Sequence, residues 1–215
     1  MLTIKTLPVN MLQENCYIVS DETGECVIID CGAQYQQEYK AIEQYISSNN
    51  LKPVHLLNTH LHFDHVMGNP FILRTYQLNT EASTRDQFLY DNVSGQFRMF
   101  MGMNYTEDFP CIIAKDLDEG DTLCFGSHTF SIIATPGHTP GGICFYCAGE
   151  NVIFSGDSLF RFSIGRTDLE GGSTSQLIQA LSQKVLTLPP ETVVYPGHGP
   201  ATSVGEEQMN NPYLY

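Results

Sequence analysis

Asn58-Thr59-His60-Leu61-His62-Phe63-Asp64-His65 packs three of the chain's seven histidines and an aspartate into six positions. The residues just before it, Val54-His55-Leu56-Leu57, are apolar and short enough to read as a buried strand. In extended chain at that strand's end, His60 and His62 point to one face, while a turn at Asp64-His65 aims both side chains at a second point nearby. Imidazole together with carboxylate suits zinc, iron or manganese. Zn–N bonds are roughly 2.0–2.1 Å, so ligands this close in sequence can serve two neighbouring metals without crowding one. A loop of inert surface histidines is the plain alternative, and the His-x-His-x-Asp-His alternation after an apolar strand weighs against it.

Around this stretch the composition is that of an ordinary globular protein. The chain has 215 residues, 42% hydrophobic and 16% charged, and a chain of this length buries roughly 70–75% of its unfolded surface. No linker, repeat or low-complexity segment divides it, so residues 1–215 are expected to form a single domain. The net charge is −14, from 24 acidic against 10 basic residues, which opposes nucleic-acid binding because that depends on neutralising phosphates. Seven cysteines, an odd and scattered set, point to reduced thiols and a cytoplasmic setting. Cys144 and Cys147 sit in a strand-like run, where they face opposite sides and read as core rather than as a redox pair. There is no leader pattern and no apolar run near about 18 residues, so a soluble, unprocessed protein with no membrane partner is expected.

Upstream, Leu2–Val9, Cys16–Val19 and Cys26–Ile29 read as strands, the last ending on Asp30, either a turn former or a residue that orients a ligand histidine. Tyr35, Tyr39, Ile42, Tyr45 and Ile46 mark a helix over 34–50. Pro70 suits the first turn of another. Between 85 and 109, Leu89, Val93, Phe97 and Phe100 or Met101 mark a helical face that Ser94-Gly95 interrupts. The Met/Phe-rich run 96–103 reads either as core or as a mobile apolar wall over the metal site. Gly126-Ser127 turns a hairpin, and neither His55 nor His128 is assigned a role. Ser173-Thr-Ser-Gln176 is a capping box for a helix carrying Leu177, Leu181, Val185 and Leu188, ended by Pro189-Pro190.

Three further strands each end in a Gly- or Pro-flanked ligand: Thr135-Pro-Gly-His138, Ser155-Gly-Asp157 and Pro196-Gly-His198. The seven candidates, His60, His62, Asp64, His65, His138, Asp157 and His198, all lie at strand ends, where one edge of a sheet core can gather them. In these motifs and their order the chain resembles the metallo-β-lactamase superfamily over nearly its whole length. The resemblance implies an α+β fold, the αββα four-layer sandwich. It also implies that His60, His62 and His138 bind one metal and that Asp64, His65 and His198 bind another, with Asp157 bridging. Two divalent ions are thus expected, zinc first, with iron or manganese as alternatives.

Within the superfamily, Ser155-Gly-Asp157-Ser-Leu-Phe160 and Ser163-Ile-Gly-Arg166-Thr-Asp168 are similar to glyoxalase II, the hydroxyacylglutathione hydrolase family. Arg166 falls where that family carries a basic residue for glutathione's carboxylate. The chain departs from it in ending soon after His198 and in placing Gly199-Pro200 where the family has an acid followed by tyrosine. The expected activity is hydrolysis of a small-molecule thioester or ester, S-lactoylglutathione or a relative, with Asp64 and Asp157 as catalytic carboxylates. Arg166 and Arg161, basic residues close to Asp157 in sequence, are the expected grip for a substrate carboxylate. A mononuclear-iron persulfide dioxygenase, using His60, His138 and Asp157, and a lactone or ester hydrolase are the alternatives on the same scaffold.

Overall fold

The computed structural model describes residues 1–105 and 112–214. Its first sheet opens as an antiparallel meander of β1 (Thr3–Val9), β2 (Glu14–Ser20) and β3 (Glu25–Ile29). Helix α1 (Gln36–Ser48) then carries the chain back, so that β4 (Lys52–Leu57) runs parallel to β3. Past the histidine loop, α2 (Phe63–Val66) and α3 (Asn69–Tyr76) return it to β5 (Thr80–Ala82), parallel to β4. A single 3-10 turn at Thr84–Asp86, α4 (Gln87–Tyr90) and α5 (Val93–Met101) precede the edge strand β6 (Ile113–Asp116).

The second sheet is built from β7 (Thr122–Phe125), β8 (His128–Ala134), β9 (Ile143–Cys147) and β10 (Val152–Gly156), all antiparallel neighbours. The short pair β11 (Leu159–Phe160) and β12 (Ser163–Ile164), then α6 (Thr174–Ala180), bring β13 (Val193–Pro196) alongside β10 in parallel. The edge strand β14 (Thr202–Ser203) and α7 (Val204–Asn210) follow.

Strand periodicity assigns the layers. Alternate residues Tyr17, Val19, Val27, Ile29 and Leu57 of the first sheet meet Phe125, Phe130, Phe145 and Phe154 of the second. The intervening residues Cys16, Ile18, Cys26, Ile28 and Leu56 face outward, under Tyr39, Ile42 and Ile46 of α1 and Phe71 and Ile72 of α3. All seven residues of β2 are buried because both of its faces are covered. On the other side, Cys144, Ile153 and Val194 lie under Leu177, Leu181, Val185 and Val204. The order is therefore helix, sheet, sheet, helix, the αββα sandwich expected. Each fully buried Phe, Leu or Ile contributes about 1.5–3 kcal/mol relative to exposure, so the two-sided sheets are the main store of stability.

Local expectations fare unevenly. The Gly126-Ser127 hairpin forms, and Cys144 and Cys147 do face opposite layers. Ser94-Gly95 does not interrupt a helix: α5 runs through both residues, and the break comes earlier, at Asp91-Asn92. The helix after Ser173 is capped by the Ser173 hydroxyl accepting from Gln176 N–H and widens to a π turn at Leu181–Val185, which hydrophobic spacing does not reveal. Among the described residues, no helix is long and apolar enough to cross a membrane.

Candidate metal centre

Each sheet delivers ligands at one end. Beyond β4 the chain stays extended through His60 and His62, and His62 then precedes α2, whose first turn carries Asp64 and His65. Beyond β8, β10 and β13 come His138, Asp157 and His198. Backbone bonds fasten these loops together: Ile143 N–H donates to Thr59 O at 2.8 Å, and Gly197 N–H to Gly156 O at 2.8 Å. Asn10 Nδ2 donates to Asp64 O at 2.9 Å, and Asn58 Nδ2 to His65 O at 2.9 Å.

The seven candidates converge into overlapping groups. His60, His62 and His138 have ligand atoms all within 4.8 Å of one another, as do Asp64, His65 and His198, and His60, His65 and Asp157. Asp157 lies between the outer groups. Its Oδ1 is 3.4 Å from His65 Nε2, and its Oδ2 is 3.7 Å from His138 Nε2 and 3.8 Å from His198 Nε2. Asp64 Oδ2 is 3.3 Å from His198 Nε2. His62 presents Nδ1, 2.9 Å from His138 Nε2.

Three of the histidines, His138, His198 and His60, have a partner on the nitrogen that faces away from the centre. His138 Nδ1 donates to Arg166 O at 2.7 Å and His198 Nδ1 to Leu12 O at 3.1 Å. Thr59 Oγ1 donates to Asp30 Oδ2 at 2.6 Å and lies 3.1 Å from His60 Nδ1. Asp30 Oδ2 also sits 3.2 Å from His65 Nδ1. Asp30 is therefore an orienting residue for the histidine loop rather than only a turn former. Such partners fix ring orientation and leave the opposite nitrogen free for a cation.

The site fits divalent cations. His60 Nε2, His65 Nε2 and Asp157 Oδ1 are buried with no hydrogen-bond partner, an arrangement that is costly unless a charge fills it. A Cβ on Gly197 would run into Asp157 Oδ1 and His65 Cε1, so glycine keeps this cradle open. Protonation states agree. Burial, then the neighbouring His65 and His138, holds His60 well below the ordinary imidazole range, and burial with His138 pushes His62 down to about 3. Both are thus kept in the neutral form that binds metal. Burial opposes ionisation of Asp157 and Asp64, but His65 and the surrounding imidazoles outweigh it and lower both carboxyls. Burial likewise opposes the charge on His65, and Asp157 and Asp64 outweigh it to raise that residue.

The centre opens into a cavity of about 320 Å³ walled by Leu12, Phe63, Phe100, Arg166 and Leu169. A groove of about 400 Å³ along α5 shares His62, Phe100 and Leu169 with it. Arg166 reaches the cavity with both arms of its guanidinium already on Asp168, at 2.8 Å each. Arg161 lies with its guanidinium 5.1 Å from the centre of the Phe162 ring and does not line the cavity. Phe100, stacked on Phe63 with centroids 5.5 Å apart, is a wall residue, whereas Phe97 is 3% exposed and belongs to the core beneath.

Sequence reasoning did not find Glu14, Asp86 or Gln96, all buried and all bonded to backbone beside the ligands. None stands in a motif, because their partners are distant in sequence.

A sandwich of two sheets with a His/Asp metal centre at one edge is the architecture of metal-dependent hydrolases. The chain belongs to the metallo-β-lactamase superfamily, whose sequence model matches residues 9–198. It is 33% identical over 214 residues to the hydroxyacylglutathione hydrolase GloC of Haemophilus influenzae, covering 99% of this chain and 98% of that one. Among solved structures, the BLEG-1 B3 metallo-β-lactamase matches with a TM-score of 0.89 at 34% identity, over 99% of each chain. TTHA1623 in a di-iron-bound form matches with a TM-score of 0.86 at 35% identity, over 98% of this chain and 100% of that one.

Proposed function

We propose that this chain is a dinuclear-metal hydrolase that cleaves a thioester, S-lactoylglutathione or a related hydroxyacyl thioester. The observation that carries the two-metal reading is Asp157, whose two oxygens lie between complete ligand groups while Oδ1, His60 Nε2 and His65 Nε2 are buried without partners. His60, His62 and His138 would hold one ion and Asp64, His65 and His198 the other, with Asp157 shared. Bound there, two divalent ions supply an acidified water and polarise the carbonyl. Asp64 and Asp157, both lining the cavity, orient the attacking water and can accept its proton. Leu12, Phe100 and Leu169 exclude bulk water around the acyl group. No protein nucleophile is required, and a thiolate can leave without a protein acid.

The likeness to GloC supports thioester chemistry, and zinc is the metal we place first on this nitrogen-rich set. Iron is the second choice, supported by the di-iron form of TTHA1623. A mononuclear-iron dioxygenase using His60, His138 and Asp157 leaves unexplained why Asp64, His65 and His198 also assemble. Arg166 is the candidate for gripping a substrate carboxylate, by exchanging Asp168 for it. Arg161 would join it only by leaving Phe162. The free thiols suit a reducing compartment, so we place the enzyme in the cytoplasm. The test is metal analysis of protein prepared with zinc and iron both supplied, combined with loss of thioester absorbance on S-lactoylglutathione. Two ions per chain and turnover are expected; one iron and oxygen uptake on a persulfide would overturn the proposal.

A further inference from the structure

Asp86 is a buried carboxylate that the proposed reaction does not use. It ends the 3-10 turn after β5 and has no exposed surface. Among the described residues no lysine or arginine pairs with it. Its three donors come instead from two loops that carry ligands. Leu61 N–H, in the peptide between His60 and His62, donates to Oδ2 at 3.3 Å. Thr139 Oγ1, next to His138, donates to Oδ2 at 2.7 Å, and Gly141 N–H donates to Oδ1 at 2.6 Å. The approach is so close that a Cβ on Gly141 would lie 2.7 Å from Asp86 Cγ. Burial raises the Asp86 carboxyl, and the donors from Thr139, Gly141 and Leu61 oppose that only in part. A buried anion without a counter-charge is costly in a fold that could place an apolar residue there.

We infer that Asp86 is a positioning residue for the three-histidine group, tying the His60–His62 loop of one sheet to the His138 loop of the other at the separation a cation needs. The donors explain the division of labour. Asp86 grips the peptide that separates His60 from His62 and the turn that follows His138, and among the described residues none of its hydrogen bonds goes to Asp64, His65 or His198. Asp30 acts from the strand end, through Thr59, whose hydroxyl lies beside His60 Nδ1, and itself lies beside His65. Asp30 thus reaches members of both ligand groups, whereas the hydrogen bonds of Asp86 go only to the loops of the three-histidine group. A cation bound by the three histidines would also supply the positive charge that Asp86 lacks.

The inference rests on the two-ion reading of the site and is tested by metal binding, not turnover. Protein stripped of metal is titrated with cobalt(II), whose visible bands report coordination, in the wild type and in Asp86→Asn, Thr139→Val and Thr139→Ser. Losing such a supporting contact typically costs about 10–100-fold in metal affinity. Asp86→Asn should lose that much for one of two cobalt ions, with its band changed, and keep the other at wild-type affinity. Thr139→Val should show a smaller loss at the same ion, and Thr139→Ser, which restores the hydroxyl, should recover it. The serine variant also decides the matter if Asp86→Asn does not fold. Unchanged binding of both ions in folded Asp86→Asn, or equal weakening of both, overturns the inference. A wild type that takes up no cobalt removes the metal centre itself, a failure distinguishable from the first.

Discussion

Asp157 and Arg166 show how differently two residues of one cavity can be constrained. Asp157 is enclosed among His65, His138 and His198, so its removal strips a shared anion from both ligand groups. Asp157→Ala should drop the metal content of purified protein from two ions to less than one and abolish turnover. Two ions retained in the mutant, measured by elemental analysis, would show that the carboxylate is not shared. Arg166 instead lies on the exposed rim with its charge already matched by Asp168. Exposed pairs are worth about 0–1 kcal/mol, so a substrate carboxylate can displace Asp168 at small cost. Arg166→Ala should therefore raise KM for an anionic thioester several-fold and leave kcat and a neutral thioester nearly unaffected, as expected for lost uniform binding. Asp168→Asn, which frees the guanidinium, should lower KM for the anionic substrate. Equal changes on both substrates would take Arg166 out of recognition.

Helix α5 is the element on which the sequence was hardest to read, and the reason is geometric. Apolar residues at helical spacing reveal a face, and Leu89, Val93 and Phe97 do form one under the site. Spacing does not tell which of the remaining Met and Phe side chains look into a cavity; that depends on where the 60–65 loop lies. Phe100 is 41% exposed, against 3% for Phe97, though both look alike in sequence. Phe97→Ala should cost about 3–5 kcal/mol, the usual figure for a buried aromatic, and appear as a lower Tm. Phe100→Ala should leave Tm within a few degrees and change the ranking among acyl chains. A large fall in Tm for Phe100→Ala would make it core. Gln96 couples the wall to the chemistry: its Oε1 accepts from Phe63 N–H at 3.2 Å, and its Nε2 donates to Leu89 O at 2.7 Å. The ligands themselves were legible because an apolar strand precedes the His60–His65 run and a glycine directly precedes each of His138, Asp157 and His198. Asp86 and Gln96 were not, since their bonds to the ligand-bearing loops span 25 to 55 positions and leave no local trace.

Across the whole molecule the two sheets are joined at both ends by different means. At one end the ligand loops interlock around the centre. At the other, the turn after β2 meets the β7–β8 hairpin: Asp21 Oδ2 accepts from Ser127 N–H at 2.7 Å and lies 3.0 Å from His128 Nδ1, and His128 Nε2 is 2.9 Å from Glu150 Oε1. Sequence gave His128 no role, because Asp21 and Glu150 are brought to it only by the packing of sheet on sheet. Burial alone would lower His128, but Glu150 and Asp21 outweigh it and raise its pKa. Burial would raise Asp21, but bonds from Thr23, Ser127 and His128 outweigh it and hold the carboxyl low. The imidazole's contribution is thus complete below its unfolded pKa of about 6.5 and is lost as pH rises through the raised folded value. The carboxylate's contribution is complete above the ordinary carboxylate range and is lost as pH falls through the depressed one. This far-end clasp should therefore stabilise the sandwich most in mildly acid solution, between those limits. His128→Gln should remove the part of the Tm decline that wild type shows on the alkaline side, and Asp21→Asn should cost about 1.5–3 kcal/mol, the loss expected for hydrogen bonds to a charged group. Because the clasp lies at the opposite end from the candidate metal centre, both variants should keep wild-type metal content and KM at temperatures below their Tm. A parallel loss of metal would mean that the two ends are coupled through the sheets, and that separating stability from catalysis along the length of this sandwich is wrong.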